Sequence, residues 1–310
     1  MIVLDILLVV VGFVLLIKGA DFFVDGASSL AKKLGIPALI IGLTIVAMGT
    51  SAPEAAVSIS AAFKGSTGIA IGNILGSNIL NVLIILGVTS CISSLKVGKT
   101  TVKYEIPFVV LITVILAVMG LSTGVLTKIS GVILWALFIA YLAYLFYQSK
   151  HMDSEDDDEI KDLPIFKIIV FIIGGMAAII LGSDLTVDGA TAIAEAFGVS
   201  DRIIGLTIVA LGTSLPELIT SVTAAKKNQA DIAIGNIVGS NIFNILFVLG
   251  TTSLIHDVTY ASAFLLDSII AIASAVLLYL CVRKKEALNR KDGIIMVAMY
   301  SVYLVYMLIQ

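Results

Sequence analysis

The sequence predicts an all-α integral membrane protein, with ten transmembrane helices arranged as two inverted-topology repeats of five. Three observations carry this. Of the 310 residues, 59% are hydrophobic and 13% charged, with a mean hydropathy of +1.11, a composition outside the soluble range. The chain also repeats itself. Residues 204–223 match residues 41–60 at 13 of 20 positions, and residues 231–250 match residues 68–87 at 14 of 20, both at one offset of 163 without a gap. Finally, the basic residues of the short loops gather on alternate sides of the spans.

A span needs about 20 apolar residues. On that measure helices are expected near residues 2–29, 37–63, 68–92, 105–120, 125–148, 164–196, 203–225, 231–255, 259–282 and 293–309. The first run carries Lys18, Asp21 and Asp25 and lacks a basic leader and a small-residue cleavage site, so it reads as a retained span. The first and sixth runs exceed the bilayer thickness and are expected to tilt or to extend into the interface. If the N-terminus is outside, the cytoplasmic loops collect 15 Lys and Arg residues and the outer loops only Lys64, Lys128 and Arg202. The positive-inside rule then puts both termini outside. Five spans per half is an odd number, so the second half inserts upside down. Residues 1–148 form the first five-helix half, 149–163 an acidic cytoplasmic linker and 164–310 the second half. Inverted repeats with broken helices meeting at the midplane are the plan of secondary transporters. The second, third, seventh and eighth helices are accordingly expected to be discontinuous.

Several features read as structural. The segment from His151 to Glu159, with Asp162, holds seven of the 22 acids. It lacks the glycine punctuation of a calcium-binding loop and reads as a solvated linker rather than a sensor. Cys91 and Cys281 lie far apart in apolar runs and read as buried thiols without a disulfide. Trp135, Tyr141, Tyr144 and Tyr147 suit an interfacial belt. Asp21 and Asp25 recur at the offset as Asp184 and Asp188 and read as interfacial helix ends, with Lys18 pairing to Asp21.

The repeated stretch carries the chemistry. Its core is Ala47-Met-Gly-Thr-Ser-Ala-Pro-Glu54, with a twin ending in Glu217. A glutamate at the bilayer centre costs about 2.5–3.5 kcal/mol and a proline in a helix interior about 3 kcal/mol, so two copies of each cost about 11–13 kcal/mol. An ordinary span needs neither. Thr50, Glu54 and Ser58 share one helix face, with Ser51 three residues before Glu54. Pro53 frees backbone carbonyls in the turn that holds Ala47 and Thr50. On the next helix Asn73, Ser77 and Asn81 share a face, beside Gly72 and Gly76, which allow close helix approach. The second half repeats this with Thr213, Glu217 and Ser221, then Asn236, Ser240 and Asn244. The histidines, His151 and His256, lie in loops. An all-oxygen set suits a hard cation such as Ca2+ or Na+ rather than zinc or copper, and two carboxylates balance one Ca2+.

The motifs Gly-Thr-Ser-Ala-Pro-Glu54 with Gly-Asn-Ile-Leu-Gly-Ser-Asn78, and Gly-Thr-Ser-Leu-Pro-Glu217 with Gly-Asn-Ile-Val-Gly-Ser-Asn241, resemble the two alpha repeats of the sodium/calcium exchanger family, part of the wider calcium:cation antiporters. The resemblance covers nearly the whole chain. It implies an antiporter, not an enzyme, that couples Na+ entry to Ca2+ extrusion by alternating access at one shared midplane site. By position, Glu54 and Glu217 with the Thr50 and Thr213 carbonyls would hold Ca2+. Ala47, Ser51, Ser77, Ala210, Ser214 and Ser240 would complete flanking Na+ sites. Asn81 and Asn244 complete the metal-facing set, at positions where some members carry Asp. The resemblance further implies that the first and sixth helices slide together across the bundle, and that the chain is a prokaryotic plasma-membrane protein without the large cytosolic regulatory domain of animal exchangers. The expected partners are the two transported ions and the lipid bilayer, with no cofactor, no nucleic acid and a monomeric state. H+- or K+-coupled exchange is the alternative within the superfamily. A cation channel is more distant, because a pore wants weak repeated sites. An intramembrane enzyme would need a nucleophile or a metal-binding His beside the two carboxylates.

Overall fold

A computed structural model describes residues 2–151, 160–198 and 210–309. In chain order the helices are α1 (Ile2–Leu34), α2 (Ala38–Thr50), α3 (Ala52–Phe63), α4 (Thr67–Ile92), α5 (Thr101–Thr123), α6 (Lys128–Ser149), α7 (Ile165–Ala196), α8 (Ala210–Thr213), α9 (Leu215–Lys226), α10 (Ala230–Ile255), α11 (Phe264–Val282) and α12 (Arg290–Ile309). Among the described residues, seven are long and apolar enough to cross a membrane, or eight if the bent α2–α3 pair is one span. The first part of the expected seventh helix lies outside the described residues.

α2 and α3 meet at a 50° bend, because Ser51 (φ −82°, ψ 9°) leaves the helical region. Pro53 then sits in the first turn of α3 rather than in a helix interior. Its missing N–H is one that has no intrahelical partner there anyway, so the expected proline penalty falls away. Ser214 and Pro216 repeat the arrangement between α8 and α9. The third and eighth helices differ from expectation: α4 and α10 run on without a break. Each instead contains a π-helical turn, at Asn81–Leu86 and Asn244–Leu249. Neither has an internal proline, so a widened turn takes the place of a break.

The core is built around α4 and α10. Every residue from Ile232 to Leu246 is buried, and glycines bring neighbouring helices against these two. A Cβ at Gly235 would lie 3.0 Å from the backbone of Gly42, and one at Gly131 would lie 2.8 Å from the Gly250 carbonyl oxygen. Two short antiparallel ribbons tie the loops together: β1 (Leu95–Lys96) pairs with β4 (Ala287–Leu288), and β2 (Val125–Leu126) with β3 (Val258–Thr259).

α1 and α7 form a separate antiparallel pair along one side. Gly12 and Gly19 face Gly182 and Gly175: a Cβ at Gly12 would lie 2.7 Å from the Gly182 carbonyl oxygen, and one at Gly19 would lie 2.8 Å from that of Gly175. Gly12, Gly19 and Gly26 recur at the offset as Gly175, Gly182 and Gly189, and side chains this small allow backbone-to-backbone packing. The outer faces of α1 and α7 expose Val3, Leu7, Val10, Val14, Phe166, Ile169 and Ile173, as a lipid-facing surface does.

Four structural expectations are corrected. Trp135 is no belt residue: it packs on Phe138 and Phe247 and donates its indole N–H to Thr251 Oγ1 at 3.1 Å. Tyr141 is buried, and Tyr144 donates to Glu105 Oε1 at 2.6 Å, because α6 packs these faces inward; Tyr147 alone of the four is widely exposed. Cys91 and Cys281 are half-buried rather than buried, though free as expected. Asp21 pairs not with Lys18, which is exposed, but with Lys227 at 2.6 Å. The linker expectation falls mostly on residues 152–159, outside the described set. Its C-terminal end is docked, with Lys161 Nζ 2.7 Å from Asp25 Oδ2 and the Lys161 carbonyl accepting from Ser29 Oγ at 2.8 Å.

Candidate functional site at the α3/α4–α9/α10 crossing

Glu54 and Glu217 occupy the first turns of α3 and α9, where the positive ends of the helix dipoles favour a carboxylate. Both are fully buried, yet neither forms an ion pair among the described residues. Their neighbours reach across from the other half. Ser51 stands at the N-cap of α3 but makes no cap bond to it. Its hydroxyl instead donates to Glu217 Oε1 at 2.9 Å, while Ser214 Oγ and Ser77 Oγ lie 3.4 and 3.3 Å from Glu54 Oε1. Thr50 Oγ1 donates to Asn236 Oδ1 at 2.9 Å, and Ser240 Oγ approaches the Ala47 carbonyl at 3.4 Å. Thr213 ends α8. Ala210 begins that helix, and its side chain lies outside the described set.

The asparagines join the halves. Asn78 Nδ2 donates to the Asn241 carbonyl at 3.1 Å, and Asn241 Nδ2 returns the bond to the Asn78 carbonyl at 3.2 Å. Asn81 Nδ2 donates to Asn241 Oδ1 at 3.0 Å, and Asn244 Nδ2 to Asn78 Oδ1 at 3.1 Å. Asn73 holds Ser58 Oγ and Asn236 holds Ser221 Oγ, each at 3.0 Å. Every one of these pairs has a twin at the 163-residue offset. The π-helical turns begin at Asn81 and Asn244, so they set where these two amides stand.

The consequence is a specific surplus of acceptors. Glu54 Oε2, Glu217 Oε2, Asn81 Oδ1 and Asn244 Oδ1 are all buried without a hydrogen-bond partner. A buried polar oxygen left unpaired costs about 1–3 kcal/mol, more for a charged one. A hard cation satisfies such oxygens, and a dication would also relieve the repulsion of two buried carboxylates. Among the described residues no group of three or more His, Cys, Asp or Glu could hold a metal ion, so any cation here would rely on amide, hydroxyl and carbonyl oxygens beside the two carboxylates.

The sequence-predicted residues Thr50, Ser51, Glu54, Ser77, Asn81, Ser214, Glu217, Ser240 and Asn244 are thus brought into one network. Asn78 and Asn241 belong to it too. They were legible only as the ends of the Gly-Ser-Asn motifs, because nothing local says that their side chains cross to the opposite repeat.

The family described as sodium/calcium exchanger protein matches this chain over residues 4–147 and 167–309. CaxA of Alkalimonas amylolytica is 42% identical over 306 residues, covering 95% of this chain and 96% of that protein. The sodium/calcium exchanger MaX1 of Methanosarcina acetivorans is 32% identical over 349 residues, covering 98% and 99%. A solved structure of the sodium-calcium exchanger NCX_Mj, soaked with Na+ and Sr2+, superposes with a TM-score of 0.85 at 35% identity, covering 98% of this chain and 99% of that one.

Proposed function

The chain belongs to the sodium/calcium exchanger family, and from that premise we propose that it exchanges Na+ for Ca2+ across the cell membrane by alternating access at the α3/α4–α9/α10 crossing. The observation that carries the reading is the set of four buried, unpartnered oxygens of Glu54, Glu217, Asn81 and Asn244, whose chemistry suits a hard cation. In this reading Glu54 and Glu217, with the Thr50 and Thr213 carbonyls, bind Ca2+. Ser51, Ser77, Ser214, Ser240 and the Ala47 and Ala210 carbonyls take part in flanking Na+ sites. Ten helices in two inverted halves, residues 1–148 and 164–310, place both termini outside and the linker 149–163 in the cytoplasm, with the protein acting as a monomer. The hydroxyl- and carbonyl-rich flanks favour Na+ over H+, since protons would need only the carboxylates. The amide and backbone oxygens around the carboxylates can solvate a third Na+, the count that the family resemblance suggests; two carboxylates with three Na+ leave one net positive charge, whereas one Ca2+ leaves none, so the exchange is electrogenic.

The test is uptake of radiolabelled Ca2+ by purified protein in liposomes loaded with Na+, K+ or buffer alone. Uptake only against a Na+ gradient, and faster when a clamped potential favours export of positive charge, is the expected result. Uptake driven by a pH gradient, or requiring K+, would replace Na+ by the alternative couplings. Uptake without any counter-gradient would make the protein a channel.

A further inference from the structure

The offset that relates the two glutamates also relates two sets of charged residues outside the site, and the structure treats them differently. On one face of the protein Lys227, just after α9, reaches two carboxylates of α1: Asp21 Oδ1 at 2.6 Å and Asp25 Oδ1 at 2.7 Å. Lys227 also donates to the Asp21 carbonyl at 2.8 Å. Asp25 is shared with Lys161 of the linker, 2.7 Å from Oδ2, and that carboxylate holds the Lys161 ammonium above its ordinary range through hydrogen bond and charge. Two carboxylates and two ammonium groups close a neutral cluster, and α1 lies along α9 beneath it.

The twins are Lys64, just after α3, and Asp184 and Asp188 of α7. All three are exposed, and among the described residues they form no ion pair. α7 and α3 show no packing comparable to that of α1 on α9.

The glycine contacts explain why both sets cannot close together. With backbone against backbone at Gly12–Gly182 and Gly19–Gly175, α1 and α7 have no slack between them, so a shift of one would carry the other. A shift that seats α1 on α9 would draw α7 off α3, and the reverse shift would undo it.

We infer that Lys227 with Asp21 and Asp25, and Lys64 with Asp184 and Asp188, are two mutually exclusive latches that hold the α1–α7 pair at opposite ends of its travel. The inference rests on the alternating-access reading above. The two latches are unequal. Lys161 comes from the linker between the halves and joins only the Lys227 set among the described residues. The Lys227 latch is neutral with two lysines, whereas the Lys64 latch keeps one net negative charge. The difference favours the arrangement seen here, with the Lys227 face shut, which is the cytoplasmic face by the loop charges.

Crosslinking tests this in membranes without any measurement of transport. In a Cys91→Ala, Cys281→Ala background, one protein carries Lys227→Cys with Asp21→Cys and another carries Lys64→Cys with Asp184→Cys. Each is treated with a short bifunctional thiol reagent in Na+, in Ca2+ and in neither. Both pairs should crosslink, and a protein with all four cysteines should form one link or the other, never both. Charge removal gives the second arm. In the Lys64→Cys, Asp184→Cys protein, adding Lys227→Gln should raise the crosslinking rate about fivefold, as loss of a partly buried ion pair predicts. Lys161→Gln should raise it less, and Lys227→Arg should leave it unchanged. Failure of the Lys64→Cys, Asp184→Cys pair to crosslink in any ion condition overturns the proposal, as does simultaneous formation of both links. If Na+ fails to drive Ca2+ uptake while the links still alternate, the ion assignment falls and the latches stand.

Discussion

Asn73 and Asn236 are twins under the 163-residue offset and make the same bonds, to Ser58 and Ser221. Asn236 is fully buried and Asn73 is half-exposed. The serines beside the glutamates differ in the same sense: Ser51 sits 2.9 Å from Glu217, Ser214 sits 3.4 Å from Glu54. Ser240 turns to the Ala47 carbonyl, while its twin Ser77 turns to Glu54. Two stretches of nearly identical sequence thus have one chemistry and two packings. The difference belongs to conformation rather than composition.

The largest effect is expected where the halves are chemically equal. Glu54→Gln and Glu217→Gln should each abolish Ca2+ exchange while leaving folded protein in the membrane, since each removes one of only two charges facing a divalent ion. Near-parental uptake in either variant would break the equivalence and misplace the site.

Next comes the contact of α2 with α10. A Cβ at Gly239 would lie 2.6 Å from the Leu43 carbonyl oxygen, so Gly239→Ala forces the two helices apart and should cost about 1–3 kcal/mol of stability, as overpacking does. Thermal unfolding of the variant in detergent decides it; an unchanged midpoint would mean that this close approach is not populated in solution.

A subtler effect is expected at Asn244, which bonds Asn78 of the other half. Asn244→Asp adds a third ionisable group to the network, so Ca2+ uptake against pH at a fixed Na+ gradient should follow a profile different from the parent's. Superimposable profiles would remove residue 244 from the ion path. Smallest of all should be deletion of Asp153 to Glu159 with Ile160 to Leu163 kept. Uptake should stay close to parental, because the bonds to α1 come from the retained end of the linker. Loss of uptake at normal expression would return a sensor role to the acidic segment.

Much of this molecule was readable from the linear chain, and the reason is specific. The stretches around Glu54 and Glu217 hold so many polar groups inside apolar runs that only a shared site accounts for them, and their identity at one offset marks the two halves. Other features hid because their partners are distant. Lys18 stands one turn from Asp21 and was the local guess, but Lys227 takes that carboxylate from 206 residues away. Trp135 and Tyr141 look like belt residues until α6 is seen to turn them inward. The seven-residue spacing of Gly12, Gly19 and Gly26, repeated in Gly175, Gly182 and Gly189, was a signal present in the sequence for the α1–α7 contact.

The sequence by itself determined that the chain is a membrane protein of the exchanger family and which carboxylates its site is built on, because burial cost and repetition are local properties that composition and spacing record. Only the tertiary structure decided that Pro53 opens a helix instead of kinking one, that four asparagines bond between the halves, and that Lys227 is paired with Asp21 and Asp25 while Lys64 pairs with neither Asp184 nor Asp188. Those depend on which surfaces of two near-identical halves meet, and a repeat that reads the same in both halves cannot say which of them is closed.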